Sequence, residues 1–219
     1  MEQIKKNLGI KAAEFIKNNQ IVGLGTGSTA NFFIEALSKK KINIKVVASS
    51  EDSYNLAKKL NIPLIEIENI DHIDIYVDGA DEVDENKNMI KGRGAAFLKE
   101  KILASFSKKV LIIVDHTKMV TNLGKCPLPL EIIPFAKELT IQQLNRKNLL
   151  GEFRKNNSKL VITESQNYIY DLKLESLIDD PQKLENIIVQ IPGVVETGLF
   201  LDMKPEILIG YENEIKHLG

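Results

Sequence analysis

Residues 73–100, IDIYVDGADEVDENKNMIKGRGAAFLKE, pass from an alternating, β-rich stretch into a loop crowded with acids, then through a glycine turn into an apolar run. Ile73–Val77 has the pattern of a strand that ends where Asp78 and Gly79 begin, so the acids sit at a strand's carboxyl end. In open α/β sheets that edge is where ligands bind, because loops leave a rigid sheet there and side chains converge from several strands. Asp78, Asp81, Glu82, Asp84 and Glu85 crowd into eight residues, with Lys91 past them as a cation. Lys91-Gly92-Arg93-Gly94 reads as a turn feeding a helix whose free N–H groups could face an anion. On that helix Glu100 has Ala96, Phe97, Leu103 and Ala104 at three and four residues, an apolar setting that would desolvate a carboxylate and suit it to general-base work. The plain alternative is a solvated acidic loop with an N-capping role, and charge alone does not separate the two.

Outward from this stretch the same alternation recurs. Ile4, Leu8, Ala12, Phe15 and Ile16 have helical spacing, and Gln20–Leu24 is a strand running into Gly25-Thr26-Gly27-Ser28-Thr29 and a helix from Asn31. Strand, glycine loop and helix form a phosphate cradle: glycines let backbone N–H groups approach, and Ser28 and Thr29 add hydroxyls at a helix start. The loop has Ser28 where a dinucleotide fingerprint needs its last glycine, and no lysine follows Gly27 as a Walker loop requires. A small phosphate ester such as a phosphosugar fits better than a nucleotide. Further strands are expected at Ile42–Ala48, Pro63–Ile67 and Lys109–Asp115, with a helix over Asp52–Leu60. The alternation predicts an α/β fold with a Rossmann-like, doubly wound, mostly parallel sheet. In it the Gly25–Thr29 loop, the Asp78–Asp84 loop and Lys118 leave one carboxyl edge.

Leu123–Pro134, LGKCPLPLEIIP, carries three prolines and a glycine and marks a boundary. Beyond it a helix over Phe135–Lys147, hairpin strands at Leu160–Thr163 and Tyr168–Leu174, a helix capped by Asp180 with Pro181 at its first position, and a strand over Val194–Leu201 suggest a smaller α+β, ferredoxin-like domain. The expected division is 1–128 plus 203–219 for the first domain and 129–202 for the second.

Composition narrows the function. The 219 residues are 43% hydrophobic, and 29 basic against 30 acidic residues leave a net charge of -1. No global field attracts nucleic acid or an anionic membrane, and no run is long enough to span a bilayer, so a cytoplasmic protein is expected. Cys126 is the only cysteine, and His72, His116 and His217 share no ligand-like spacing, so neither a disulfide nor a structural metal site is expected.

Together GLGTGST, YVDGADEVD, IKGRGAA with Glu100, and IIVDHTK resemble the type A ribose-5-phosphate isomerases, and the likeness extends to PLPLEIIP and IPGVVETGLF. The resemblance implies interconversion of ribose 5-phosphate and ribulose 5-phosphate in the non-oxidative pentose phosphate pathway, with no metal or organic cofactor and a homodimer or homotetramer. It implies that Glu100 is the catalytic base, assisted by Asp81 and Lys91. Thr26, Gly27, Ser28, Thr29, Asp78, Gly79, Ala80, Asp81, Lys91, Gly92, Arg93, Gly94 and Lys118 would line the substrate, with Asp78 orienting sugar hydroxyls. Lys5, beside Lys6 on the first helix, falls where the family can place a phosphate-binding lysine. Arg93 stands where some members have glycine. The rival readings are a non-catalytic sugar-phosphate sensor, a phosphosugar deaminase or lactonase on a similar scaffold, and a nicotinamide-dependent dehydrogenase.

Overall fold

A computed structural model describes residues 1–219, which form two compact units. The first comprises Met1–Ala80, Lys99–Met119 and Met203–Gly219. Its six-stranded sheet runs Lys45–Ala48, Ile21–Leu24, Ile75–Asp78, Val110–Asp115, Glu206–Gly210 and Ile215–Leu218, an order of 2-1-3-4-5-6 by position along the chain. All neighbours are parallel except the last pair, where Gly210 faces Ile215 across a hairpin. Val110–Val114 is buried throughout, as expected for a central parallel strand covered on both faces. The helix Glu2–Glu14 packs on the helix Ser28–Ser38, and Gly9 permits the approach: a Cβ there would lie 2.5 Å from the Phe32 carbonyl carbon. Leu8, Ala12, Phe33, Ile34 and Leu37 bury the facing sides in a core shared with Val22, Val77, Leu111 and Ile113.

The second unit comprises Asp81–Leu98 and Val120–Asp202. Its four-stranded antiparallel sheet has the order Val194–Thr197, Leu128–Ile132, Tyr168–Leu172, Gly151–Phe153. With the helices Lys137–Arg146 and Pro181–Val189 between strands, the chain runs βαββαβ with strand order 4-1-3-2, the ferredoxin-like arrangement expected. Asp180 caps the second helix by accepting from the Lys183 N–H at 2.9 Å. Leu128, Leu130, Ile132, Leu144, Leu172 and Ile188 form the core.

Several expectations are corrected. Residues 81–98 and 120–128 join the second unit rather than the first: Glu82–Val83 and Met89–Ile90 make a hairpin whose outer partner is Leu199–Phe200, and Val120 N–H donates to Val83 O at 2.9 Å. Leu128–Ile132 is a central strand although Pro127 and Pro129 read as breakers; Pro129 still accepts, from Gly198 N–H at 2.8 Å. Pro63–Ile67 is not a strand: only Leu64 bridges to Val46, and Ile67–Asn69 turns into a 3₁₀ helix. Leu160–Thr163 does not pair along Tyr168–Leu172 beyond one Ile162–Tyr168 bridge, since Tyr168–Leu172 is occupied on both sides by Leu128–Ile132 and Gly151–Phe153.

Candidate active site

In the first unit Ile21–Leu24 and Ile75–Asp78 are neighbours, and the strand order reverses between them. Their carboxyl ends therefore open a crevice at the topological switch point. Gly25 closes its floor: its N–H donates to Val77 O at 2.9 Å, and a Cβ on it would lie 2.0 Å from Asp78 Cγ, so no larger residue fits. Asp78 is fully buried. Its Oδ1 accepts from the N–H groups of Gly79 at 2.7 Å and Thr26 at 3.1 Å, and its Oδ2 accepts from the Tyr76 hydroxyl at 2.5 Å. Asp78 thus holds the loop, a task the sequence did not suggest beside the expected contact with sugar hydroxyls.

Hydroxyls continue the floor. Thr26 Oγ1 lies 3.0 Å from Ser49 Oγ and 2.9 Å from Ser50 Oγ; Ser50 caps the helix Glu51–Lys59, and Ser53 Oγ donates to Gly25 O. Ser49 and Ser50 stand at the end of the next strand, and only their position after Ala48 hinted at this role. Gly27, at φ +99° with open space where a Cβ would be, turns the chain into the helix Ser28–Ser38. That geometry leaves first-turn N–H groups at an open mouth, where a helix attracts anions. Ser28 is exposed and Thr29 half-buried there. Lys5 Nζ donates to Ser28 Oγ at 2.9 Å, bringing a cation to the mouth, whereas Lys6 lies on a separate groove with Ile10, Ala13 and Phe32.

Glu100 is 3% exposed on the helix Phe97–Ser105, with Leu103 and Ala104 buried beside it, the setting its spacing predicted. Burial pushes the Tyr76 phenol well above its ordinary pKa, and the negative charges of Asp78 and Glu100 push it further. Lys118 ends a short 3₁₀ turn, half-buried, and Asp115 fixes that turn by accepting from Thr117 N–H at 3.1 Å and from its hydroxyl. Gly79 and Ala80 are half-buried at the strand end.

The second unit holds Asp81, Lys91, Gly92, Arg93 and Gly94. Asp81 Oδ2 accepts from Arg93 N–H at 3.0 Å, and its Oδ1 lies 4.0 Å from Arg93 Nε, whose side chain is 75% exposed. Lys91 is only 4% exposed, with its ammonium 5.4 Å from the Phe200 ring centroid. Gly92, at φ +118°, allows the turn: a Cβ would meet Pro129 Cγ at 2.6 Å and Phe97 Cδ1 at 2.7 Å. Arg154 braces it, donating to Gly92 O at 2.7 Å and Arg93 O at 3.1 Å while forking onto Asp171 at 2.5 and 2.8 Å. Sixty residues separate Arg154 from the turn, so no local pattern announced it. The remaining acids divide by surroundings. Glu82 accepts from the N–H groups of Gly124 at 2.7 Å and Cys126 at 2.5 Å, Asp84 closes the 84–88 turn through Asn88, and Glu85 is exposed. Burial, helped by the Glu82 carboxylate, pushes the Cys126 thiol up to about 12.

Comparison with known proteins gives the same answer along the whole chain. A sequence model described as "Ribose 5-phosphate isomerase A (phosphoriboisomerase A)" matches residues 45–214. The ribose-5-phosphate isomerase A of Blochmanniella floridana is 46% identical, covering 100% of this chain and 97% of its own. Among solved structures, the ribose 5-phosphate isomerase of Plasmodium falciparum is 35% identical with a TM-score of 0.96, covering 100% of this chain and 99% of that one. A D-ribose-5-phosphate isomerase in complex with phospho-erythronic acid is 40% identical with a TM-score of 0.94, covering 99% and 98%. A family model that matches most of the chain, together with a relative 46% identical along its whole length, means that the chain belongs to the ribose 5-phosphate isomerase A family.

Proposed function

We propose that the chain interconverts D-ribose 5-phosphate and D-ribulose 5-phosphate through a cis-enediolate. The observation that carries this reading is the Gly25–Thr29 loop at the switch point, with its open helix start and Lys5 on Ser28. A sugar phosphate anchored there by its phosphate has its carbonyl end held for reaction, and the binding energy of the remote group goes into orientation. The solved relative bound to phospho-erythronic acid, an anionic phosphosugar acid, supports the same substrate class.

In this reading Glu100 takes the proton from C2 of the aldose and returns it to C1, while the O2 proton passes to O1. One buried carboxylate serves both transfers on one face of the enediolate. Lys91 stabilises the charge that develops on oxygen, Asp81 assists hydroxyl proton transfer and ring opening, and Lys118 binds substrate. Gly79, Ala80, Gly92, Arg93 and Gly94 offer backbone groups to the sugar. The ammonium of Lys91 suits its task because burial beside Phe200 strengthens its field.

A cytoplasmic homodimer or homotetramer belongs to the same proposal. Phe135, 83% exposed, and Leu139 of the second unit support self-association, which light scattering would test. The first experiment on function is conversion of ribose 5-phosphate by purified protein with chelator present and no added cofactor. Rapid formation of ribulose 5-phosphate is expected. Absence of turnover by folded protein that still binds the sugar phosphate would replace the isomerase with a sensor.

A further inference from the structure

The Ile75–Asp78 strand carries a phenol that none of the roles above employs. Successive side chains of a strand alternate, so Tyr76 and Asp78 share one face. Tyr76 is fully buried, and its ring is packed so closely that a Cβ on Gly23 would lie 2.6 Å from Cδ2. Packing alone would be met by phenylalanine. The hydroxyl instead donates to Asp78 Oδ2 at 2.5 Å, with Ser49 close by. Because burial and two nearby carboxylates keep this phenol protonated, it is a standing donor.

The consequence passes through the carboxylate. Asp78 Oδ1 receives the N–H groups of Thr26 and Gly79, and Thr26 begins the loop that turns at Gly27 into the helix Ser28–Ser38. A carboxylate turns about its Cβ–Cγ bond unless both oxygens are held. With Oδ2 held by the phenol, Oδ1 stays aimed at two amides, and the Thr26 amide stays in place. Ser49 supports the same loop from the neighbouring strand, its hydroxyl 3.0 Å from Thr26 Oγ1.

We propose that Tyr76 is a positioning residue for substrate: by fixing the Asp78 carboxylate it holds the Gly25–Thr29 loop in its binding shape. The inference rests on the reading that this loop receives the phosphorylated sugar. Tyr76 acts on binding and not on the proton transfer, so its removal should appear in KM before kcat.

The test is Tyr76→Phe, which keeps the ring and deletes the donor, compared with wild type in steady-state turnover of ribose 5-phosphate. Loss of a hydrogen bond to a charged acceptor should raise KM by about tenfold or more while kcat falls less than about threefold. An unchanged KM in folded protein, or a fall in kcat alone, overturns the proposal; a purely structural phenol would lower Tm and leave KM where it was. A cycle with Asp78→Asn sharpens it. The double variant should have a KM within about twofold of Asp78→Asn alone, because the phenol acts only through that carboxylate, and additive effects would overturn the route. Should Tyr76→Phe fail to fold, Asp78→Asn carries the test, because an amide cannot accept on both sides as the carboxylate does: a KM rise of about tenfold is expected, and an unchanged KM is decisive against the route. Wild-type turnover separately tests the isomerase reading. If wild type binds ribose 5-phosphate without converting it, calorimetry on wild type and Tyr76→Phe replaces kinetics. About a tenfold weaker Kd in the variant then supports the positioning role, and equal values overturn it.

Discussion

Asp78 and Asp81 lie three residues apart, one in each compact unit, and meet opposite surroundings. Asp78 is fully buried at a parallel strand's end, with both oxygens receiving hydrogen bonds from the protein. Asp81 keeps a side chain 19% exposed, receives one backbone N–H, and has a solvated guanidinium at 4.0 Å. Neighbouring acids of one motif can thus divide the labour. The sheet edge uses its acid to hold backbone in place, where low dielectric makes each bond costly to lose. The inserted hairpin leaves its acid partly exposed, and in the proposed reaction that acid faces the substrate.

The largest expected effect sharpens the first half of this contrast, since Glu100 is the buried acid of the first unit assigned to chemistry. Glu100→Gln should lower kcat by about 10²–10⁴-fold with little change in KM, the usual weight of a general base. Steady-state kinetics with ribose 5-phosphate decide it, and an unchanged kcat would remove Glu100 from its role.

Next comes the packing of the crevice floor. A methyl on Gly25 runs into Asp78, whereas one on Gly27 enters open space and meets only an unfavourable φ. Gly25→Ala should therefore cost about 3 kcal/mol by overpacking, and Gly27→Ala about 1 kcal/mol by backbone strain. Urea unfolding of both variants measures the gap; equal costs would break the claim that the floor is tightly built.

Two arginines test the second unit. Arg154→Ala removes a guanidinium that braces Gly92 O, Arg93 O and Asp171, and should cost about 2 kcal/mol. Arg93→Ala deletes a mostly exposed partner of Asp81 and should cost less than about 1 kcal/mol. If Arg93 proved the more costly, the picture of an accessible Asp81 would fail.

The smallest effect on the folded state is at Cys126. With its pKa raised to about 12, the thiol stays protonated below that pH, so roughly one part in 10⁴ is thiolate at pH 8. Alkylation by iodoacetamide should be far slower than that of a free cysteine and should still be accelerating above pH 9. A plateau near pH 8.5 would show that neither burial nor the Glu82 carboxylate holds the thiol in its protonated form.

Much of the fold was legible because its signals are local. The glycine loop before Ser28, the buried run Val110–Val114 and the Asp180-Pro181 helix start each depend on residues within one or two turns, and each forms as expected. The strand Leu128–Ile132 was hidden because prolines spoke against it locally, while three strands distant along the chain supplied its sheet. The hairpin 82–90 was hidden because each of its strands is two residues long, too short for any period.

The alternating βα framework, the α+β character of the second unit and the family could be read from the chain alone, since periodicity, turn residues and linear motifs carry those directly. The partners of the polar side chains, by contrast, emerged only once the chain was packed. Glu82 is claimed by amides more than forty residues away, Arg154 finds the glycine turn, Lys5 rather than Lys6 meets Ser28, and Tyr76 turns out to be a donor to Asp78. The physical reason is that a buried polar atom must be paired, and its partner is set by which backbone and side-chain groups the packed chain brings within hydrogen-bond distance.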